Sequence, residues 1–300
     1  MKRILITGAN GQLGRSLKAV LDQRPDYNYV ATDVVADAEN DVIKLDLINL
    51  DEVSVIIDQG FDFVVNCAAY TAVDKAEEEP ELCRLVNTDA VANIALSAKR
   101  CGTKVIHVST DYVFSGEGHL PYKEEDSVNP QSVYGQTKLQ GELLLRNQML
   151  ESDYAIIRTA WLYSPYGHNF VKTMLRLGSE KDSLNVVADQ IGSPTYAPDL
   201  AYAIVDIMDA EKFVGGIYHF TNEGVASWFD FAVNIMQLAN ITDCKMNPCT
   251  SKEFPQKAHR PYYSVLSKQK IRNTYSLEIP YWRDSLSKCI KILKDNGFTY

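Results

Sequence analysis

No apolar run in this chain of 300 residues approaches the ~18 residues of a membrane-spanning helix. The basic start Met1-Lys2-Arg3 reaches the turn Thr7-Gly8-Ala9-Asn10 after only Ile4-Leu5-Ile6, too soon for a signal-peptide core. A cytoplasmic protein without a membrane role is therefore expected. The six cysteines include no CxxC pair, and a chain of this size needs no covalent staples, so reduced thiols are expected. Five histidines form neither HExxH nor H-x3-H, which leaves a zinc site without support, and no metal is expected. Positive charge is in deficit, 30 Lys+Arg against 39 Asp+Glu, a net charge of −9 that repels phosphate backbones and argues against a nucleic-acid partner. Glycine and proline, 16 and 11, are too few for a collagenous or low-complexity chain. What is present, 46% hydrophobic and 23% charged residues, is a globular balance long enough for two domains or one large α/β domain with an attached lobe.

The first half alternates strand and helix signals. Strands are predicted at Arg3–Thr7, Tyr29–Asp33, Asp41–Asp46, Asp62–Ala68 and Lys104–Ser109, with helices at Gln12–Arg24, Leu50–Gln59 and Glu81–Arg100. A helix over Ser132–Leu150 follows the turn Asn129-Pro130, and a strand at Tyr154–Thr159 follows it. This alternation predicts an α/β fold built on a Rossmann-like, doubly wound parallel sheet. After Trp161 the rhythm loosens, with helices near Asn169–Leu177, Pro198–Met208, Trp228–Leu238 and Trp282–Lys294, and a smaller C-terminal α/β lobe is expected there.

The segment ILITGANGQLG leaves the first strand and opens the first helix, with glycines at Gly8, Gly11 and Gly14. Gly8 permits a tight turn, Gly11 lets backbone N–H groups approach a pyrophosphate, and Gly14 lets helix and sheet pack closely. The helix N-terminus then holds the anion. Asp33 ends the second predicted strand 19 residues beyond Gly14, where a carboxylate can accept from both adenosine ribose hydroxyls. An acid here disfavours a 2′-phosphate, while Arg15 just after the loop could offset that repulsion, so NADPH or NADH is expected with a lean toward NADH. Residues 1–165 therefore read as a dinucleotide-binding domain, with later segments such as 195–222 returning to it, and 166–300 as mainly a substrate-binding lobe.

Tyr134 and Lys138 form YxxxK, and i,i+4 spacing puts them on one helical face. Adding hydride to a ketone makes an alkoxide that needs a proton. A phenol, with an ordinary pKa near ~10, carries one at neutral pH, and a nearby ammonium stabilises the phenolate left behind. Thr110 and Asp111 end the strand Lys104–Ser109 at the carboxyl edge of the sheet, where α/β ligands sit.

These features resemble the extended short-chain dehydrogenase/reductases across nearly the whole chain. The blocks NCAAYTAVDKAE, HVSTDYVFSG, VYGQTKLQGE, RTAWLY, NFVKTMLRL, DQIGSPTY and RPYYSVL are similar, in order, to those of the dTDP-4-dehydrorhamnose reductase family. The resemblance implies reduction of a dTDP-sugar ketone with Tyr134 as general acid, Lys138 as ribose ligand and modulator of its pKa, and Thr110 as the hydroxyl at the carbonyl. It implies that Gly11, Gln12, Leu13, Asp33, Asp46, Leu47, Ala68, Ala69 and Tyr70 line the dinucleotide beside Gly8 and Gly14, with Asn87 supporting the adjacent helix. Thr110, Asp111 and Trp161 would touch the sugar, and Asn169 and Arg260 the nucleotide and diphosphate. In the run Asp74–Glu79 only Asp74, with Val73 before it, is expected near the site.

Some members of the family dimerise through magnesium held by acids, one of them two positions after the last loop glycine. Ser16 stands there in this sequence, so a monomer or weak dimer without metal is expected. Two other readings stay open at this stage. One is an NAD-retaining epimerase or dehydratase, although dehydratases tend to carry Asp-Glu where this chain has Asp111-Tyr112. The other is a non-catalytic dinucleotide-binding subunit, which should have lost Tyr134 or Lys138.

Overall fold

Seven strands form one all-parallel sheet in the computed structural model, which describes residues 1–298. The chain runs β1 (Lys2–Thr7), α1 (Gln12–Leu21), β2 (Tyr27–Asp33), β3 (Val42–Lys44), α2 (Leu50–Ile57), β4 (Phe63–Asn66), α3 (Val73–Ala76), α4 (Pro80–Arg84), α5 (Ala90–Cys101), β5 (Lys104–Thr110), α6 (Val133–Gln148) and β6 (Tyr154–Thr159). It continues through β7 (Leu162–Tyr163), α7 (Phe170–Glu180), β8 (Ser183–Val187), β9 (Ile191–Gly192), β10 (Thr195–Tyr196), α8 (Ala197–Asp209) and β11 (Gly216–His219). The last elements are β12 (Ala226–Ser227), α9 (Trp228–Ala239), β13 (Lys245–Cys249), α10 (Gln269–Tyr275) and α11 (Trp282–Asp295). The large sheet has the order β11-β6-β5-β4-β1-β2-β3, so the strand order reverses between β1 and β4. At such a reversal the loops leave in opposite directions and open a crevice beyond the strand ends.

Alternation along β1 sends Ile4 and Ile6 to one face and Leu5 to the other, and each face finds its own helices. Ile4 and Ile6 pack with Leu17 of α1 and Ala201 and Ile204 of α8, while Leu5 packs with Ile57, Ile94 and Leu145 of α2, α5 and α6. A separate cluster gathers Met174, Phe231, Ile235, Trp282 and Leu286 from α7, α9 and α11, beside the two-stranded parallel ribbon β8–β13.

The predicted Rossmann-like sheet is present, with three informative differences. The first helix ends at Leu21, capped by Asp22, because Pro25 forces the preceding chain out of helical geometry. The long helix expected over Glu81–Arg100 is broken by a π-helical turn at Leu85–Asp89, which buries Asn87. The ribbon β8–β13, the edge strand β11 and α10 were not anticipated. All six cysteines are free, and no helix among the described residues is long and apolar enough to cross a membrane.

Candidate active site

The crevice between β1 and β4 is a cavity of about 370 Å³ lined by Gly8, Gly11, Asp33, Asp46, Leu47, Ala68, Ala69 and Tyr70. Gly8 holds φ at +67°, and a Cβ there would lie 2.5 Å from the backbone nitrogen of Ala68. At Gly14 a Cβ would lie 2.4 Å from the Gly8 carbonyl oxygen. Both glycines are thus required by close backbone packing. No side chain caps α1 at Gly11, which leaves its first-turn donors for an anion. Asp33 Oδ2 accepts from the Asn10 backbone N–H at 3.0 Å, fixing the carboxylate at the cavity wall. An apolar slot lined by both a helix N-terminus and a fixed carboxylate fits an adenine dinucleotide.

The side chains of two expected cofactor residues are engaged away from the cavity, while their backbone N–H groups remain in the first turn of α1. Leu13 is in the core against the sheet. Gln12 Oε1 accepts from Ser164 Oγ and Asn169 Nδ2, both at 3.0 Å, so this side chain ties α1 to the segment before α7. Asn169 itself caps α7 by accepting from Lys172 N at 3.2 Å and donates to the Ser164 carbonyl at 2.8 Å. Its polar atoms are taken up by these bonds, and it lines neither cavity described here. Asn87 holds the loop after β4, accepting from Tyr70 N at 2.9 Å and donating back to the Tyr70 carbonyl at 3.1 Å.

Ser132 caps α6 by accepting from Gly135 N at 3.2 Å, and the helix then presents Tyr134 and Lys138 one turn apart. A Cβ on Gly135 would sit 2.3 Å from the Tyr112 carbonyl oxygen, so α6 lies directly against the turn that follows β5. Tyr134 and Tyr112 meet edge to face at 5.4 Å. Burial pushes the Tyr134 phenol above its usual range, and the Thr110 hydroxyl pulls the other way. Lys138 is 1% exposed, and burial brings its ammonium down to about 8 against the attraction of Glu142. Thr110 Oγ1 donates to Asp111 Oδ1 at 3.0 Å and accepts from Tyr112 N at 3.2 Å. Burial raises the Asp111 carboxyl to about 6, and its Oδ2 is buried without a partner.

A second cavity, about 280 Å³, opens between α7, α9 and the loop before Pro261, lined by Phe170, Met174, Asn185, Gln190, Trp228 and Arg260 among others. Trp161 has φ at +50°, a strained conformation for a bulky residue, and stacks on Trp228 at 3.7 Å. Arg260 reaches back across the cleft, donating to Asp74 Oδ2 at 2.6 Å and to Tyr112 Oη at 3.0 Å, while its buried Nε has no partner. Tyr112, which touches both Arg260 and Tyr134, was missed in the sequence, where it reads as another aromatic after a strand.

The family model described as the RmlD substrate binding domain matches residues 1–294. The chain belongs to the dTDP-4-dehydrorhamnose reductase family. A member from Aggregatibacter actinomycetemcomitans is 42% identical over 300 residues, covering 95% of this chain and 97% of its own. Among solved members, a dTDP-4-dehydrorhamnose reductase from Clostridium acetobutylicum is 42% identical with a TM-score of 0.89, covering 97% of this chain and 99% of its own. The family member from Bacillus anthracis, solved in complex with NADP, is 37% identical with a TM-score of 0.88 and the same coverage.

Proposed function

We propose that this protein reduces the 4-keto group of dTDP-4-dehydro-L-rhamnose to give dTDP-L-rhamnose with NADPH or NADH. The observation that carries the reading is the buried pair Tyr134 and Lys138 on α6, set beside Thr110 where β5 leaves the sheet, in a chain with this family membership. The nicotinamide, when bound, supplies a hydride. Tyr134 holds the proton that the ketone oxygen takes, and its raised pKa keeps that proton in place at neutral pH. Lys138 provides the charge that stabilises the phenolate.

The unpartnered Asp111 Oδ2 is an acceptor for a sugar hydroxyl, and the stacked Trp161 and Trp228 offer an apolar face toward the sugar-binding region. The free Nε of Arg260 at the second cavity supports its role toward the diphosphate. The division into residues 1–165 with 195–222 as dinucleotide domain, and 166–300 as mainly substrate lobe, has support from α8 and β11 packing into the large sheet. A small-molecule substrate, a cytoplasmic location and a monomer or weak dimer complete the reading. The dehydratase alternative is weakened by Tyr112, whose hydroxyl is committed to Arg260.

Purified protein mixed with NADPH or NADH and dTDP-4-dehydro-L-rhamnose is expected to consume nicotinamide absorbance and yield dTDP-L-rhamnose by NMR. Absence of oxidation with either cofactor would overturn the assignment. In the same assay Asp33→Ala is expected to raise the KM for NADH by about 10-fold, since a hydrogen-bonded charge contributes roughly 1.5–3 kcal/mol. NADPH should lose much less, because removing the carboxylate also relieves repulsion of its 2′-phosphate. Equal losses would place Asp33 away from the ribose.

A further inference from the structure

Behind Lys138 lies a buried chain of side chains that the proposed chemistry does not use. Asn66, at the end of β4, accepts through Oδ1 from Thr7 Oγ1 at 2.7 Å and from the Ala68 backbone N–H at 3.1 Å. A backbone N–H can only donate, so these bonds fix which end of the amide is oxygen. The amide nitrogen therefore faces the other way, where it lies 3.0 Å from His107 Nδ1. An NH₂ group cannot accept, so Nδ1 must be the bare, accepting nitrogen. His107 is fully buried, and burial, with the Lys138 charge adding to it, holds the ring neutral well below its ordinary value. A neutral ring with a bare Nδ1 carries its proton on Nε2. Nε2 faces Lys138 Nζ at 3.4 Å, and Nζ also donates to the Val108 carbonyl at 2.7 Å.

An N–H directed at an ammonium repels it, whereas an N–H directed at a neutral amine donates to its lone pair. We propose that Asn66 and His107 form a tautomer lock that loosens the hold of Lys138 on its proton while leaving it charged at neutral pH, making both of them positioning residues for the Tyr134–Lys138 pair. This rests on the assignment of Lys138 to the active site made above. The other groups that face Lys138 leave the lock room to act. Glu142, one turn along α6, has its charge matched by Arg158 through bonds of 2.9 and 2.7 Å. Cys83 of α4 is kept neutral by burial, which pushes its thiol up. A lysine brought to about 8 exchanges its proton readily near neutral pH, which is what a phenol that must regain a proton each turnover requires of its neighbour.

Two measurements test the lock. In wild-type protein labelled with ¹⁵N-histidine, long-range ¹H–¹⁵N correlation, with His107 assigned by its loss in His107→Met, should show Nε2 protonated and Nδ1 bare throughout the neutral pH range. Protonated Nδ1 would overturn the proposal. In the reductive direction the alkaline fall in turnover should follow Lys138. His107→Met removes the N–H without adding charge, so this fall should move up by about one pH unit. Asn66→Asp should turn the ring to its Nδ1–H tautomer in the NMR spectrum and move the fall the same way. If His107→Met folds poorly, the Asn66→Asp spectrum and profile decide instead; a switched tautomer with an unmoved fall, in whichever variant folds, overturns the lock. Full turnover in Lys138→Ala would instead remove Lys138 from the chemistry, a separate failure that leaves the tautomer result standing.

Discussion

Tyr134→Phe is expected to lower kcat by about 10²-fold or more while leaving the Kd for the nicotinamide cofactor within about twofold. The substitution deletes one oxygen from a ring that is 9% exposed and held edge-on by Tyr112, so packing and cofactor cleft survive it. Initial-rate kinetics paired with a cofactor fluorescence titration separate the two effects. The carboxylic acid at the same strand end is Asp111, raised only to about 6. Were it the donor, wild-type turnover would fall about tenfold per pH unit above that value; a protonated phenol predicts no such fall in the neutral range. Near-normal turnover in Tyr134→Phe would shift the proton donor to another group.

Arg158→Met should cost about 3–5 kcal/mol of folding stability, the largest loss anticipated for any single change considered in this chain. Arg158 and Glu142 are 2% and 0% exposed, joined by two hydrogen bonds, and Glu142 also accepts from Ser109 Oγ at 2.6 Å. Removing the guanidinium leaves a buried carboxylate with the Ser109 hydroxyl as its remaining hydrogen-bond donor and only the more distant Lys138 ammonium to offset its charge. Adding Glu142→Leu removes that stranded charge, so the double variant should recover most of the loss. Urea unfolding at neutral pH measures both. A single-variant loss below about 1 kcal/mol, or a double variant no better than the single, would show that the pair is not the electrostatic unit the geometry describes.

Local patterns carried most of what the sequence made legible. The loop glycines three apart between a strand and a helix, Asp33 at the end of the next strand, and Tyr134 and Lys138 one helical turn apart are each defined by short-range order along the chain, so motif and predicted element together locate them. The His107–Asn66 contact is different, because it joins neighbouring parallel strands whose register no local pattern specifies. The ribbon β8–β13 was hidden for a similar reason. Its strands lie about sixty residues apart, and one contains Pro248 and several half-exposed positions, so neither shows the continuous apolar run of a buried strand. Asn169 shows a different ambiguity. An asparagine before an amphipathic helix has the chemistry of a ligand contact and of an N-cap alike, and the helix claims it here.

The route of the chain through its two hydrophobic regions limits how this protein could have been assembled or can be rebuilt. After β6 it leaves the large sheet for α7 and β8, comes back to lay α8 on α1 and to add β11 at the edge, and departs again for α9 and β13. No single cut separates the region that would choose the sugar from the sheet that would hold the cofactor. Exchanging specificity between relatives by recombination would therefore need several matched breakpoints, and variation in substrate is far more accessible through point changes in the cleft than through the trading of whole modules.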